Sequence, residues 1–165
     1  MDERPLWAPW RLQYVAGPKG DGCIFCAAGE GQGDDERHYV LARGERCLAM
    51  LNAFPYASGH LMVAPYRHIG DLTALEPPEV AEVMDVVRRS IEALRTVMNP
   101  QGFNVGLNLG ESAGAGFKDH LHFHVVPRWT GDTNFMPVLA DTRVISQALA
   151  DTAAALRGEL TESAA

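Results

Sequence analysis

The stretch HLHFHVVP, residues 120–127, places a histidine at every second position and then continues into apolar residues. Side chains two residues apart on a β-strand lie on the same face of the sheet. This alternation predicts a strand with a row of three imidazoles, from His120, His122 and His124, on one face and apolar side chains facing a core on the other. Such a row brings several nitrogens into one small volume, which favours either metal binding or chemistry on an anion.

The pattern His-x-His-x-His followed by apolar residues resembles the signature of the histidine triad (HIT) family of nucleotide hydrolases and transferases. Two stretches are similar to the strands that precede the family's nucleotide pocket and phosphate loop: NAFPYASGHLMVAP at 52–65 and FNVGLNLG at 103–110. Two others, LWAPWRLQY at 6–14 and PRWTGDTNF at 127–135, resemble the family's bacterial diadenosine tetraphosphate phosphorylase branch. The resemblance therefore spans most of the chain.

Length, charge and cysteine content narrow the class of protein. The 165 residues suit a single domain with a core at about 20–157, an N-terminal lead-in at 1–19 and a short C-terminal tail. No apolar run reaches about 18 residues, which predicts no membrane span, and the lack of a basic and apolar leader predicts a cytoplasmic protein. Three cysteines cannot pair completely, which fits a reducing compartment, and a net charge of −7 argues against general nucleic-acid binding.

Turn signals and apolar periodicity predict an α+β fold. The predicted strands are 38–42, 46–51, 60–65, 103–109 and 119–128, and the predicted helices are 77–98 and 144–156. In the longer helix the apolar residues predict one buried face, formed by Val80, Val83, Val87, Ile91, Leu94 and Met98. Short turns between strands favour an antiparallel sheet with helices on one side. The resemblance implies a HIT-like five-stranded antiparallel sheet with two helices, and two subunits that pair into a homodimer.

The resemblance implies a catalytic role for three histidines. His122 attacks the α-phosphate and carries a nucleotidyl group, because neutral imidazole is an uncharged nucleophile that anionic oxygens repel less. Its ring needs a partner on one nitrogen so that the other stays free, and a backbone carbonyl near His120 would suit. His124 contacts the phosphate or the leaving group. His60 matches the family's fourth pocket histidine, although a strand-end hydrogen-bonding residue would look the same.

A glycine-rich loop at 110–116 lies just before the triad. Three glycines in seven residues allow backbone N–H groups to approach an anion closely, although a generic flexible loop has a similar composition. By resemblance, the substrate-binding residues are Asn52, which contacts the ribose, Asn108, Gly114, Ala115, Gly116 and His124. Related enzymes often have a hydroxyl residue where this chain has Gly116. The choice of acceptor, water or inorganic phosphate, therefore stays open.

The segment CIFC carries two cysteines, Cys23 and Cys26, at the spacing with which two thiolates hold one Zn²⁺. The same spacing occurs in redox pairs, and any zinc site needs further ligands from elsewhere in the chain. Bacterial HIT proteins with CIFC at this place resemble this chain, and they complete the site with the positions of His68 and His120. The resemblance thus implies one structural Zn²⁺ held by Cys23, Cys26, His68 and His120.

The resemblance to the HIT family implies an enzyme that acts on adenine nucleotides. The favoured reaction is cleavage of dinucleoside polyphosphates, by phosphorolysis or hydrolysis, through a covalent nucleotidyl-histidine intermediate. Hydrolysis of a nucleoside phosphoramidate or adenylyl conjugate is the alternative reaction. A zinc hydrolase that uses all three triad histidines as ligands, or a nucleotide-binding module without catalysis, are alternatives of a different class.

Overall fold

The computed structural model describes residues 22–31, 33–132 and 148–162. The opening stretch at 6–14 and the first four residues of the predicted last helix, 144–147, lie outside the described residues. No helix within the described ranges is long and apolar enough to cross a membrane.

A five-stranded antiparallel sheet organises the described part of the chain, as predicted. Its strands are β1 Val40–Arg43, β2 Cys47–Leu51, β3 Leu61–Pro65, β4 Gly102–Leu107 and β5 Phe123–Arg128. The spatial order is β1-β2-β3-β5-β4, and all neighbours pair antiparallel. The strand that follows the first two triad histidines therefore lies inside the sheet, whereas β4 forms one edge.

Three α-helices occur in the described residues: α1 Ile24–Glu30, α2 Pro77–Met98 and α3 Leu149–Glu162. The expected number was two, and α1 is the additional helix. Its seven residues carry no side-chain cap, so no local signal marks it in the sequence. Helix α3 begins at Leu149 and runs six residues past the predicted end at 156.

Helix α2 has the predicted bounds because local signals mark both of its ends. Two prolines occupy its first turn, and Glu76 and Glu79 form a reciprocal capping box. Asn99 closes the helix in a left-handed conformation with φ of 46°.

The predicted buried face of α2 is wrong at Val80, which is 42% exposed. Buried residues of this helix include Val83, Val87 and Leu94, but at the first turn Glu79 takes the inward position. Its carboxylate accepts hydrogen bonds of 2.7 and 2.5 Å from the Arg67 guanidinium, which compensates for its burial. The ion pair with a neighbouring segment thus sets the rotation of the helix start.

Apolar side chains pack on both faces of the sheet. Strands β2 and β3 are buried along their whole length. One core lies between the sheet and helices α2 and α3, and a smaller one includes Phe25 and Ala28 of α1. The sheet is therefore covered on two sides rather than on one.

The predicted strand at 119–128 starts four residues late, at Phe123. The pairing of β3 with β5 ends at Val63 and Phe123. Before this point the backbone N–H of Leu121 donates to the carbonyl of Ile69 at 2.6 Å, so the chain pairs with the segment after β3. His120 and His122 consequently lie outside the ladder, and strand alternation does not control where their side chains point.

Candidate functional site

His122 has one ring nitrogen blocked and the other available. Its Nδ1 lies 2.9 Å from the backbone carbonyl oxygen of His120. A carbonyl oxygen only accepts, so Nδ1 carries the proton and Nε2 keeps its lone pair. The ring is buried, and burial lowers the pKa of His122, so the ring stays neutral near pH 7. The site therefore contains a neutral imidazole with a free Nε2, held by a backbone carbonyl of the expected kind.

His60 sets the protonation of His124 through a chain of hydrogen bonds. The backbone N–H of Tyr56 donates to Nδ1 of His60 at 3.1 Å, so the proton of this neutral ring is on Nε2. That Nε2–H donates to Nδ1 of His124 at 3.0 Å. His124 therefore accepts at Nδ1 and carries its own proton on Nε2, which makes Nε2–H a hydrogen-bond donor.

The rings of His122 and His124 lie in direct contact. The ring centroids of His122 and His124 are 4.8 Å apart, and the planes are nearly perpendicular at 78°. Burial first, and then the neighbouring His122, lower the pKa of His124 to about 4. One lone pair and one N–H donor thus lie side by side on neutral rings, an arrangement suited to attack on an anionic phosphate.

His120 belongs to a separate cluster with Cys23, Cys26 and His68. Nδ1 of His120 lies 3.1 Å from Sγ of Cys23, 3.6 Å from Sγ of Cys26 and 3.3 Å from Nδ1 of His68. Nδ1 of His68 is 3.2 Å from Sγ of Cys26, and all four ligand atoms lie within 4.8 Å of one another. The structure therefore brings together the four residues that the resemblance implied, in a cluster that could hold a metal ion.

The dimensions of this cluster fit a tetrahedral metal site. Zn–S bonds of about 2.3 Å and Zn–N bonds of about 2.1 Å give S···N edges of about 3.6 Å and N···N edges of about 3.4 Å. The donor set also fits this chemistry, because Cys23 and Cys26 of the CIFC segment supply two thiols to the cluster. Nε2–H of His120 donates to the carbonyl of Pro65 at 2.8 Å, which leaves the Nδ1 lone pair directed at the cluster. Burial first, and then Cys23, raise the pKa of Cys26 to about 11, so its thiolate needs a strong positive charge beside it.

Asn52 lies beside His60 and shapes the turn after β2. Its Oδ1 accepts from the backbone N–H of Phe54 at 2.9 Å, and its Nδ2 lies 3.4 Å from Nδ1 of His60. This Asx turn holds the segment that leads to His60. The predicted contact of Asn52 with a ribose stays a prediction.

The glycine-rich loop is an ordered turn with a short 3₁₀-helix at Glu111–Ala113. Gly110 and Gly114 adopt φ of 78° and 81°, which side chains disfavour. The amides of Gly114 and Ala115 donate to carbonyls within the loop at 2.9 and 3.4 Å. These two N–H groups are therefore engaged already, and an anion would use others or displace them. Asn108 is half-buried just beyond the end of β4, and its role and that of Gly116 stay predictions.

Three backbone groups of the site are not readable from the sequence: the carbonyls of His120 and Pro65 and the N–H of Tyr56. Every residue has a carbonyl, so only the folded chain shows which one meets a ring nitrogen. Phe25 was also missed as a site residue. Its ring contacts both His120 and His122, at centroid distances of 5.1 and 4.7 Å.

A family model described as the HIT domain matches residues 35–131, more than half of the chain, and this range includes all three triad histidines. The chain belongs to the HIT family. A Mycobacterium tuberculosis (strain H37Rv) protein named AP-4-A phosphorylase is 44% identical over 154 residues, covering 89% of this chain and 79% of that protein. A Schizosaccharomyces pombe protein named adenosine 5'-monophosphoramidase is 32% identical over 106 residues, covering 64% and 74%.

The fold is shared with solved members of the family. A crystal structure of a Zn-bound histidine triad family protein from Mycobacterium smegmatis superposes with a TM-score of 0.69 at 28% identity. The match covers 87% of this chain and 96% of that chain. The architecture of this chain is therefore the α+β HIT fold.

Proposed function

We propose that this protein cleaves dinucleoside polyphosphates, with diadenosine tetraphosphate as the preferred substrate, through a covalent nucleotidyl–His122 intermediate. The observation that carries the proposal is the hydrogen bond from Nδ1–H of His122 to the carbonyl of His120, because it leaves Nε2 as a neutral nucleophile. The similarity to AP-4-A phosphorylase, at 44% identity over 89% of this chain, supports the substrate.

In the first step, Nε2 of His122 attacks an α-phosphorus, and the bond from that phosphorus to the bridging oxygen breaks. The adenylyl group is then attached to His122, and ATP leaves. Because Nδ1 keeps its proton, the ring becomes positively charged, and the carbonyl dipole of His120 stabilises that charge. Nε2–H of His124 donates to a phosphate oxygen or to the leaving group, while His60 holds its other nitrogen.

In the second step, inorganic phosphate attacks the adenylyl group, releases ADP and restores His122. Water in place of phosphate would release AMP. The greater extent of similarity to the phosphorylase than to the monophosphoramidase, 89% against 64% of this chain, supports phosphate as the acceptor. Gly116 offers no hydroxyl to either acceptor.

Product analysis tests this proposal. Diadenosine tetraphosphate is incubated with the protein, with and without inorganic phosphate, and the nucleotides are separated by chromatography. ATP and ADP that appear only with phosphate support phosphorolysis, and AMP as the only partner of ATP in both samples makes the protein a hydrolase. Nucleotide binding without turnover contradicts catalysis, and His122→Ala serves as the inactive control.

We also propose that Cys23, Cys26, His68 and His120 hold one structural Zn²⁺. Four protein ligands close a tetrahedral site and leave no position for a metal-bound water. When bound, the metal joins the start of α1 to the segment before β5. Only one triad histidine contributes to the cluster, which argues against a zinc hydrolase that uses all three as ligands.

A homodimer and a cytoplasmic location complete the proposal. Strand β4 lies at an edge of the sheet, its residues 104–106 are exposed, and Val105 is 44% exposed. Such an edge favours pairing with a second copy of the chain. The three cysteines within the described residues are free thiols, which supports a reducing compartment.

A further inference from the structure

Phe25 connects the metal cluster with the proposed nucleophile. It lies on α1, between Cys23 and Cys26 in the sequence, and is 1% exposed. Its ring stacks on His122 with a centroid distance of 4.7 Å and an angle of 29° between planes. Phe117 packs edge-on against the Phe25 ring, with ring centroids 5.8 Å apart and an angle of 78° between the planes. One face of the His122 ring is therefore covered by an aromatic ring that is itself buried.

The orientation of the His122 ring depends on the contacts of its side chain rather than on a strand ladder. The residue precedes β5, whose pairing with β3 ends at Phe123, so no strand ladder holds its backbone. The hydrogen bond at Nδ1 fixes one ring atom, and the torsion that rotates an imidazole ring is intrinsically broad. A misplacement of about 1 Å at a reacting atom can lower a rate about 100-fold.

We propose that Phe25 is a positioning residue for His122. Its ring fixes the plane of the imidazole so that the Nε2 lone pair points at the α-phosphorus. Phe25 touches no reacting atom; besides His122 its ring contacts His120 at a centroid distance of 5.1 Å, and its effect on turnover rests on the proposed function.

The position of Phe25 itself depends on anchors at both ends of α1. A helix of seven residues with no side-chain cap is marginal by itself. At its start, Cys23 and Cys26 lie in the metal cluster. At its end, the Arg43 guanidinium donates to the carbonyls of Ala28 and Gly31 at 2.7 and 3.3 Å. These contacts at the two ends of α1 fix the position of the Phe25 ring relative to His122.

Three variants test the proposal: Phe25→Leu, Phe25→Tyr and Val87→Ala. Phe25→Leu removes the ring but keeps an apolar side chain, and Phe25→Tyr restores the ring. Val87 is a control because it is buried in the other core, 3% exposed, and its truncation lowers stability without touching α1. We expect Phe25→Leu to lower kcat on diadenosine tetraphosphate about 10- to 100-fold with KM nearly unchanged. Phe25→Tyr should recover most of kcat, and Val87→Ala should lower Tm but keep kcat.

A kcat for Phe25→Leu within twofold of wild type overturns the proposal. The proposal is also overturned if Val87→Ala loses as much kcat as Phe25→Leu. An NMR measurement decides the case independently of turnover. Stacking places the His122 ring in the ring current of Phe25, so its Cε1–H resonance, identified with His122→Asn, should lie upfield. Deleting the Phe25 ring abolishes that shift in any case, so the readout of orientation is the Nδ1–H resonance of His122, whose hydrogen bond to the His120 carbonyl depends on the ring plane. We expect Phe25→Leu to broaden this resonance or speed its exchange with water and Phe25→Tyr to keep it, and a resonance unchanged from wild type in Phe25→Leu overturns the proposal. A wild-type protein without turnover contradicts the proposed function alone, and the NMR result still decides the role of Phe25.

Discussion

Replacement of His60 tests whether this residue acts by fixing the tautomer of His124. In the structure, Nε2–H of His60 donates to Nδ1 of His124 at 3.0 Å, and the His60 side chain is fully buried. His60→Leu removes that donor and replaces the imidazole with an apolar side chain of similar size. The His124 ring is then free to carry its proton on either nitrogen, and only one of the two forms can donate from Nε2.

The expected loss follows from the strength of one hydrogen bond. A neutral hydrogen bond inside a protein contributes about 0.5–1.5 kcal/mol, which corresponds to roughly a 2- to 12-fold fall in kcat. KM should change little, because His60 does not touch the substrate in the proposed mechanism. His60→Gln is the matched control, since its amide N–H can donate to the same nitrogen and should retain more of kcat than His60→Leu.

Steady-state kinetics on diadenosine tetraphosphate give kcat and KM for both variants, and Tm is measured in parallel. Equal losses in the two variants would refute the tautomer reasoning, because the donor would then be irrelevant. A loss of three orders of magnitude in His60→Leu would also refute it, because His60 would then take part in the chemistry directly.

Four further outcomes are expected. His122→Ala should keep the fold and nucleotide binding but lose at least a few orders of magnitude in kcat, and near-normal turnover would contradict the covalent mechanism. Protein purified without added metal should contain about one zinc per chain by elemental analysis, and Cys26→Ser should lower that content and Tm together. Because the folded pKa of His124 is about 4 against 6.5 ordinarily, its contribution to stability is complete above about pH 6.5 and is lost as the pH falls towards 4. Urea unfolding at several pH values should therefore show a shallower pH dependence in His124→Gln than in wild type. Light scattering should give a dimer mass at micromolar concentration, and a monomer would contradict pairing through β4.

Some elements were predictable because the residues that determine them are neighbours in the sequence. Helix α2 begins at its prolines and capping box and ends at Asn99, and all of these signals act within one turn of the helix. The five strands follow from short apolar runs between turn residues. The antiparallel pairing of β1 with β2 and of β2 with β3 follows from the short turns between them, whereas the position of β5 between β3 and β4 does not.

Other features were not predictable because distant parts of the chain determine them. Helix α1 has no caps and depends on contacts with residues such as Arg43 and His120. Val80 is exposed because Arg67 draws Glu79 inward at the start of α2. The late start of β5 follows from the hydrogen bond between Leu121 and Ile69. Each of these depends on a partner many residues away, and no local pattern contains it.

The sequence by itself determined the chemical groups of the site: three alternating histidines, a further histidine after a glycine, and two cysteines three positions apart. These identities limit the chemistry to metal binding and attack on anions. The family resemblance already implied that His120 joins the cysteines and that His122 is the nucleophile. Only the tertiary structure decided which backbone group holds each ring: the carbonyl of Pro65 for His120, the carbonyl of His120 for His122 and the N–H of Tyr56 for His60. The physical reason is that the free nitrogen of each ring depends on which backbone carbonyl or N–H meets the other nitrogen, and every residue carries those groups.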